Sequence, residues 1–200
     1  MARRVLQDEY FKRAKAEGYV ARSAYKLLEI NERKKLIRPG DRVLDLGCAP
    51  GSWLQVAAQL VGDRGRVVGL DLQRVTHAMG ANVTTIVGDV DEVEASALTQ
   101  AGGGIFDAVI SDMAPSTSGH GDHFRSVRLC RTILGMLPEV LRKGGSLAMK
   151  VLEGEEMRAL VRETDAEFEE ARAFKPKASR DVSTETYIVA KGFMRPGSRS

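Results

Sequence analysis

Four aspartates and one lysine follow short β-rich runs of this sequence, at points where strands are expected to end. They are Asp45, Asp71, Asp89, Asp112 and Lys150. In open sheets of parallel strands, ligands bind at the carboxyl ends of the strands. We therefore expect these side chains to surround one ligand site, where carboxylates favour a ligand that carries positive charge.

The turn over residues 45–53 (Asp-Leu-Gly-Cys-Ala-Pro-Gly-Ser-Trp) lies between an expected strand and an expected helix. Gly47 and Gly51 would let a ligand approach the backbone closely. Asp71, at the end of the next strand, is placed to accept hydrogen bonds from ribose hydroxyls. A nicotinamide cofactor fits poorly, because the turn lacks the Gly-x-Gly-x-x-Gly pattern and Asp45 would repel a pyrophosphate. S-adenosylmethionine has a sulfonium, an ammonium and no phosphate, so it is the predicted cofactor.

Three further residues are predicted cofactor contacts. The Asp89 carboxylate is placed to accept from the adenine amino group, and Val90 is the expected apolar wall beside it. Trp53 either lines the cofactor site or packs in the core. The alternative for the whole loop is that its glycines only make a tight turn and that the aspartates are helix N-caps.

The group that is modified is predicted from the end of the fourth strand. Amino-group methylases often carry a Pro-Pro-aromatic run there, whereas this chain has Ser-Asp-Met-Ala-Pro at residues 111–115. The polar side chains that it offers instead are Asp112, Lys150 after the fifth strand, Glu185 before the last strand, and Lys26 in the N-terminal segment.

The elements that must position these side chains alternate along the chain. Strands are predicted at residues 42–46, 66–70, 83–87, 106–110, 146–151, 168–173 and 186–189, and helices at 52–61, 91–100, 124–143 and 153–165. This alternation is typical of a single-domain, Rossmann-like α/β fold with a mostly parallel seven-stranded sheet and helices on both faces. We expect residues 1–40 to be a basic helical segment of that domain, residues 41–194 to be the methyltransferase domain, and residues 195–200 to be a flexible tail.

Charge is distributed unevenly along the chain. Residues 1–40 carry a net charge of +6 and residues 171–200 a net charge of +5, whereas residues 41–170 carry −8. Two basic ends suit a polyanion such as RNA, although solvated tails are the alternative. Candidate phosphate contacts are Arg3, Arg4, Lys12, Arg13, Arg22, Lys34, Lys35, Arg38, Lys175, Lys177 and Arg180, and candidate stacking residues are Tyr10, Phe11 and Tyr19.

The sequence resembles the FtsJ/RrmJ family of ribosomal RNA 2′-O-ribose methyltransferases from about residue 22 to residue 193. The resemblance is carried by residues 22–27 (Arg-Ser-Ala-Tyr-Lys-Leu), 45–53, 111–115, 149–150, 177–180 and 185–187. The family's Lys-Asp-Lys-Glu tetrad falls here on Lys26, Asp112, Lys150 and Glu185. Ser52 departs from the pattern, because a second glycine is usual there. The resemblance implies methylation of a ribose, expected to be that of a uridine, in 23S ribosomal RNA of the large subunit.

The tetrad residue types suit methyl transfer to a hydroxyl. A ribose hydroxyl is a poor nucleophile until a base shares its proton, and the reacting atoms must be in line. Our hypothesis makes Lys150, as a neutral amine, the base. Asp112 would hold Lys150 and touch the cofactor, while Glu185 and Lys26 would complete the charge network and orient the ribose. The alternatives are that Lys150 chiefly steers the hydroxyl, or that these residues form surface salt bridges.

Several other functions were compared with this one. The same chemistry on transfer RNA is a close alternative, and a non-catalytic RNA-binding assembly factor is another. A small-molecule or protein methyltransferase would not need the basic ends or the tetrad. We expect no metal, because His120, Asp122 and His123 are only three candidate ligands in a glycine-rich loop. We also expect a cytoplasmic monomer, since no apolar run approaches the roughly 20 residues that span a bilayer and the chain has only two cysteines.

Overall fold

The protein is described by a computed structural model over residues 12–115, 121–178 and 184–194. Residues 12–16 are helical, and they are followed by seven strands and five further helices that largely alternate. The strands are β1 Arg42–Leu46, β2 Arg66–Asp71, β3 Val83–Val87, β4 Phe106–Ser111, β5 Leu141–Leu152, β6 Phe168–Phe174 and β7 Glu185–Phe193. The helices are α1 Ala24–Lys34, α2 Ser52–Val61, α3 Ala95–Gly102, α4 Asp122–Val140 and α5 Met157–Glu167.

All seven strands form one sheet in the order β3-β2-β1-β4-β5-β7-β6. β1 to β5 pair in parallel, and β7 is antiparallel to both β5 and β6. The predicted fold class, a mostly parallel seven-stranded α/β sheet, is confirmed. The strand order reverses direction between β1 and β4, and the crevice at such a point is where open α/β sheets bind ligands.

Helices cover both faces of the sheet, and each face has its own hydrophobic core. One core holds Leu27 of α1 and Leu54 of α2, and the other holds Leu98, Leu137 and Leu160 of α3, α4 and α5. α1 therefore packs against one face of the sheet through this core. The contact fixes the position of the basic N-terminal helix relative to the strands. Within the described ranges, no helix is long and apolar enough to cross a membrane.

Some element boundaries differ from those predicted. The helix predicted over residues 124–143 starts earlier, at Asp122, and ends at Val140, two residues after Pro138. β5 begins at Leu141, because this fully buried residue pairs with Phe106 at the start of β4. α3 and α5 each start four residues later than predicted. The predicted tail over residues 195–200 lies outside the described residues.

Candidate active site

A cavity of about 590 Å³ opens at the carboxyl ends of β1, β2, β3 and β4. Five of the predicted site residues line it: Gly47, Asp71, Asp89, Val90 and Asp112. Sequence reasoning did not identify the rest of its lining as part of the site: Ala49, Leu70, Leu72, Gln73, Gly88, Asp91, Met113, Ala114, Pro115, Arg125, Arg128 and Leu129. The strand-end carboxylates of Asp71, Asp89 and Asp112 therefore share one cavity, whereas Asp45 and Lys150 are not part of its lining.

The loop after β1 requires glycine at two positions. Gly47 has φ +76°, and a Cβ on it would lie 2.2 Å from Met113 Cγ. Gly51 has φ +117°, and a Cβ there would lie 2.3 Å from Met79 Cε. L-residues rarely adopt such φ values. The glycines therefore let the loop fold tightly beneath the cavity, and Gly51 lies behind it rather than on its lining.

Asp71 is held by main-chain donors on both of its oxygens. The amide of Ala49 donates to Oδ2 at 2.9 Å, and the amide of Gln73 donates to Oδ1 at 2.8 Å. A carboxylate has about four acceptor positions, so each oxygen keeps a lone pair that can accept from a ligand hydroxyl. This geometry orients Asp71 toward the cavity that it lines.

Asp89 is oriented in a similar way at the end of β3. The amide of Asp91 donates to Asp89 Oδ1 at 2.9 Å. Val90 is half-buried and packs against the core beneath the loop. A carboxylate acceptor with an apolar neighbour suits a flat heterocycle that carries an amino group.

Asp45 is completely buried, and neither of its carboxylate oxygens has a hydrogen-bond partner among the described residues. Burial raises the pKa of Asp45 well above its usual range, and the nearby carboxylates of Asp112 and Asp71 raise it further. Asp45 lies behind the cavity lining in the middle of the sheet, paired with Gly69 and Ile110. It is thus an acidic group beneath the site.

Trp53 lies in the core and is not part of the cavity lining. Its side chain is 2% exposed, its Nε1 donates to the carbonyl oxygen of Ser23 at 2.9 Å, and its ring stacks on Tyr187 with centroids 5.6 Å apart. Of the two alternatives considered for this residue, the structure supports core packing. The reason is that α2 turns this side chain toward Ser23, just before α1, and toward Tyr187 of β7.

The tetrad residues come together from four elements. Lys26 of α1 donates to Glu185 Oε2 at 2.8 Å. Lys150 of β5 donates to the main-chain oxygen of Asp112 at 2.6 Å and lies 3.2 Å from its Oδ1. Lys150 Nζ and Glu185 Oε1 are 3.9 Å apart. The four residues predicted from the resemblance are therefore one continuous cluster, which adjoins the cavity through Asp112.

The cluster alternates in charge and is largely shielded from water. Lys26 and Lys150 are each 7% exposed. Their Nζ atoms face two carboxylates, so each carboxylate has a lysine nearby. Ionic groups that are this buried are rarely left without such compensation. These contacts hold two lysines and two carboxylates in defined positions beside the cavity.

Tyr187 belongs to this cluster, although sequence reasoning did not include it among the site residues. Its hydroxyl donates to Asp112 Oδ1 at 2.5 Å, and Lys26 Nζ lies 5.8 Å from the centre of its ring. Burial raises the pKa of Tyr187 well above 10, and the charge of Asp112 and the hydrogen bond to it raise it further. The phenol therefore stays a donor. The available signal was its position two residues after Glu185, on the same face of β7.

Helix α4 contacts the end of β5, the strand that carries Lys150. The thiol of Cys130 donates to the main-chain oxygen of Lys150 at 3.2 Å, and Ser126 Oγ accepts from the amide of Leu152 at 3.0 Å. These contacts connect the buried face of α4 to the end of β5. The backbone that carries Lys150 is thereby fixed from both the sheet and the helix.

The predicted RNA-contact residues are partly described. Arg3, Arg4, Tyr10, Phe11 and Arg180 lie outside the described residues. Glu29 of α1 accepts from the amides of Lys177 and Ala178 at 2.7 and 3.4 Å. This contact places the segment after β6, with Lys177 and Ala178, beside α1.

No group of three or more His, Cys, Asp and Glu side chains that could hold a metal ion occurs in the part of the chain that the structure describes. His120, one of the three residues considered as ligands, lies outside that part. His123 instead stacks on Phe124, with ring centroids 4.0 Å apart.

Comparison with known proteins decides the family. Residues 19–193 match the FtsJ-like methyltransferase family, which is most of the chain. The chain belongs to this family. The resemblance predicted from the sequence is thereby confirmed, and this FtsJ-like protein is a methyltransferase.

Relatives of this FtsJ-like methyltransferase agree over nearly its whole length. Ribosomal RNA large subunit methyltransferase E of Halorubrum lacusprofundi is 47% identical over 193 residues, which cover 93% of this chain and 71% of the relative. The protein of the same name from Syntrophobacter fumaroxidans is 45% identical over 186 residues, with 92% and 94% covered. The crystal structure of a ribosomal RNA methyltransferase from Plasmodium falciparum matches with a TM-score of 0.75 and 25% identity, covering 88% of this chain and all of that one.

Proposed function

We propose that this protein transfers the methyl group of S-adenosylmethionine to a ribose 2′-hydroxyl of large-subunit ribosomal RNA. The observation that carries the proposal is the buried cluster of Lys26, Asp112, Lys150 and Glu185, which adjoins a cavity lined by the carboxylates of Asp71 and Asp89. The close relatives, named ribosomal RNA large subunit methyltransferase E, support the substrate.

The residues that line the cavity suit this cofactor. Carboxylates of Asp71, Asp89, Asp91 and Asp112 line it, and they would repel a pyrophosphate but attract a cationic group. Asp71 would accept from the ribose hydroxyls and Asp89 from the adenine amino group, with Val90 against the ring. Neither oxygen of the buried Asp45, which precedes this loop, has a hydrogen-bond partner among the described residues. When bound, S-adenosylmethionine supplies an electrophilic methyl group on a sulfonium.

Lys150 is placed to take the hydroxyl proton. A neutral lysine amine has two N–H groups and one lone pair. The main-chain oxygen of Asp112 accepts one N–H group at 2.6 Å, and Asp112 Oδ1 lies 3.2 Å from Nζ. The lone pair is then left for the proton of the ribose hydroxyl. After transfer, the new N–H of the ammonium has Glu185 Oε1 within 3.9 Å.

The other tetrad residues position Lys150 and the ribose. Lys26 holds Glu185 in a 2.8 Å ion pair, so the carboxylate stays oriented while Lys150 changes its protonation. Tyr187 and Lys150 both bind Asp112, which fixes that carboxylate between them. Because methyl transfer needs its reacting atoms in line, this positioning accounts for much of the expected acceleration.

RNA contact is supported by the charge on one side of the molecule. Arg33 and Lys34 lie in the last turn of α1, and the Glu29 contacts hold the segment with Lys177 beside them. Such cations would bind phosphates and give affinity without sequence choice. The preformed surface of a large RNA would then supply the specificity.

The proposal is tested with methyl-labelled S-adenosylmethionine and either large ribosomal subunits or bulk transfer RNA, with wild-type protein and Lys150→Ala. Lys143→Ala is the matched control, because Lys143 is an exposed lysine of the same strand, at its other end. We expect label in the large subunit, in a dinucleotide that resists alkaline hydrolysis. Lys150→Ala should lower the rate by about 100-fold or more, and Lys143→Ala should leave it unchanged.

Other outcomes would contradict parts of the proposal. Label in transfer RNA alone would retain the chemistry and change the substrate. Label that does not yield alkali-resistant dinucleotides would refute the ribose hydroxyl as acceptor. Absence of label with measurable cofactor binding would favour an RNA-binding assembly factor or a small-molecule methyltransferase.

A further inference from the structure

Two walls of the cavity are contributed by elements far apart in the sequence. One wall is the loop after β3, with Asp89, Val90 and Asp91, and the other is the face of α4 that carries Arg125 and Arg128. The first wall holds the carboxylate that the proposed function assigns to adenine. The second belongs to the helix that supports Lys150 from below.

Asp91 connects these walls directly. Its Oδ1 accepts from Thr132 Oγ1 at 2.9 Å, and its Oδ2 binds Arg128 Nη2. Thr132 and Arg128 lie one helical turn apart on the same face of α4, so both carboxylate oxygens of Asp91 are bound by one helix. We call Asp91, Arg128 and Thr132 the Asp91 cluster.

The Asp91 cluster is linked to the cavity through the backbone. The amide of Asp91 donates to Asp89 Oδ1 at 2.9 Å. Fixing the side chain of Asp91 on α4 therefore fixes the donor that orients the Asp89 carboxylate. The chain of contacts runs from Thr132 through Asp91 to Asp89 and passes through two hydrogen bonds of ordinary length.

The two donors contribute differently. The Arg128 side chain is 71% exposed, and exposed ion pairs contribute little because water and salt screen them. Thr132 is half-buried, has only one rotatable bond that orients its hydroxyl, and lies beneath Asp91. Most of the positioning is thus expected from the Thr132 hydroxyl.

We infer that Thr132, acting through Asp91, is a positioning residue for recognition of the adenine amino group, and that helix α4 thereby orients both the adenine end of the cavity and the strand of Lys150. This inference rests on the proposed function. It implies that the Asp91 cluster sets the preference for an amino group over an oxygen on the purine. Asp89 can accept from an amino group but is repelled by a carbonyl oxygen.

The test measures binding of S-adenosylhomocysteine and S-inosylhomocysteine by titration calorimetry, without any RNA. The second ligand carries a carbonyl oxygen in place of the adenine amino group and a hydrogen on the neighbouring ring nitrogen N1. The variants are Thr132→Val, which removes the hydroxyl at nearly constant volume, Asp91→Ala and the conservative Thr132→Ser. Arg131→Gln is the matched control, because Arg131 is on the same helix and pairs with Glu156 and Glu163. Thermal unfolding of each variant verifies that it is folded.

Wild-type protein is expected to prefer S-adenosylhomocysteine by about tenfold or more, because an unmatched polar group in a binding site costs roughly 1.4 kcal/mol or more. Thr132→Val and Asp91→Ala should lower this preference by at least about threefold, since Asp89 is no longer held. Thr132→Ser and Arg131→Gln should keep it.

An unchanged preference in Thr132→Val and Asp91→Ala, including equal weakening of both ligands, would overturn the inference. Equal affinity of the wild-type protein for the two ligands would also overturn it, while leaving the proposed function intact. Failure of the wild-type protein to bind S-adenosylhomocysteine at all would contradict the proposed function itself, and the inference with it.

Discussion

The hydroxyl of Tyr187 provides the sharpest test of the active-site geometry. Tyr187 is completely buried, and its hydroxyl, the one polar group of the side chain, donates to Asp112 Oδ1 at 2.5 Å. Tyr187→Phe removes that atom and keeps the ring that stacks on Trp53. The substitution therefore isolates one hydrogen bond to a carboxylate.

The magnitude follows from the charge and burial of this bond. A hydrogen bond to a charged group contributes about 1.5–3 kcal/mol to the free energy of unfolding. In a domain of this size that loss lowers Tm by roughly 3–12 °C. Asp112 would keep its contact with Lys150 at 3.2 Å but lose the second group that fixes its orientation. We therefore expect kcat to fall by about tenfold, with the Kd for S-adenosylhomocysteine changed by less than about twofold.

The assay combines urea denaturation with methyl transfer to large ribosomal subunits. Tyr19→Phe is the matched control, because the Tyr19 hydroxyl donates to a neutral acceptor, Gln59 Oε1, at 2.9 Å in an exposed setting. It should lower the free energy of unfolding by no more than about 1 kcal/mol and leave kcat unchanged. A double-mutant cycle with Asp112→Asn should give a coupling of about 1 kcal/mol or more.

The reasoning would be refuted if Tyr187→Phe lost no more stability than Tyr19→Phe, or if the cycle showed no coupling to Asp112. Either result would mean that the hydroxyl does not bind a charged carboxylate in the folded protein. A fall in cofactor affinity with kcat unchanged would also refute it, because it would place the hydroxyl in ground-state binding rather than in positioning for catalysis.

Three further predictions concern the buried Asp45, the glycine loop after β1, and the contact between α1 and the segment after β6. Asp45→Asn should become more stable relative to wild type as pH rises above about 4, the ordinary pKa of an aspartate, measured by urea denaturation, because a raised folded-state pKa means that the unfolded state releases its proton first. Gly47→Ala should lower the free energy of unfolding by about 2–4 kcal/mol in the same assay, because its Cβ would lie 2.2 Å from Met113 Cγ at a φ of +76°. Glu29→Ala should make the amide of Lys177 exchange about tenfold faster in hydrogen-exchange mass spectrometry, since that amide loses its acceptor.

Two of these predictions have a control variant in the chain. Gly40→Ala places the same residue at a φ of +89° with nothing within 4 Å of the new Cβ, so it should cost about 1–2 kcal/mol from backbone strain alone. An equal loss in Gly40→Ala and Gly47→Ala would contradict the predicted clash. Glu32→Ala, on the exposed side of α1, should not change exchange at Lys177. For Asp45, a stability difference that stays constant with pH would show that the acid does not titrate on unfolding.

Local sequence patterns were sufficient for most of the fold. The predicted bounds of β1, α2 and β3 agree with Arg42–Leu46, Ser52–Val61 and Val83–Val87. These elements are short apolar runs with glycine turns between them, and each run carries its own signal of strand or helix. The alternation of such runs was enough to indicate a parallel sheet covered on both faces.

The end of α4 could not be predicted in this way. Residues 141–143 continue a helical pattern past Pro138, yet the structure has them in β5, where Leu141 pairs with Phe106 of β4. Pairing between strands 35 residues apart in sequence, with complete burial of Leu141, outweighs local helix propensity. Such a contact exists only once the sheet is assembled.

The same distinction holds for the site. The sequence by itself determined which side chains are present at the strand ends, because residue types and their local context can be read directly along the chain. The family resemblance then indicated the four tetrad residues. Only the tertiary structure decided that Lys26 pairs with Glu185 across 159 positions, that Tyr187 reaches Asp112 across 75, and that Trp53 packs in the core. These contacts depend on where a helix and an antiparallel strand pack against the sheet. Hydrogen bonds are sensitive to distances of a few tenths of an ångström, and no one-dimensional pattern specifies distances on that scale.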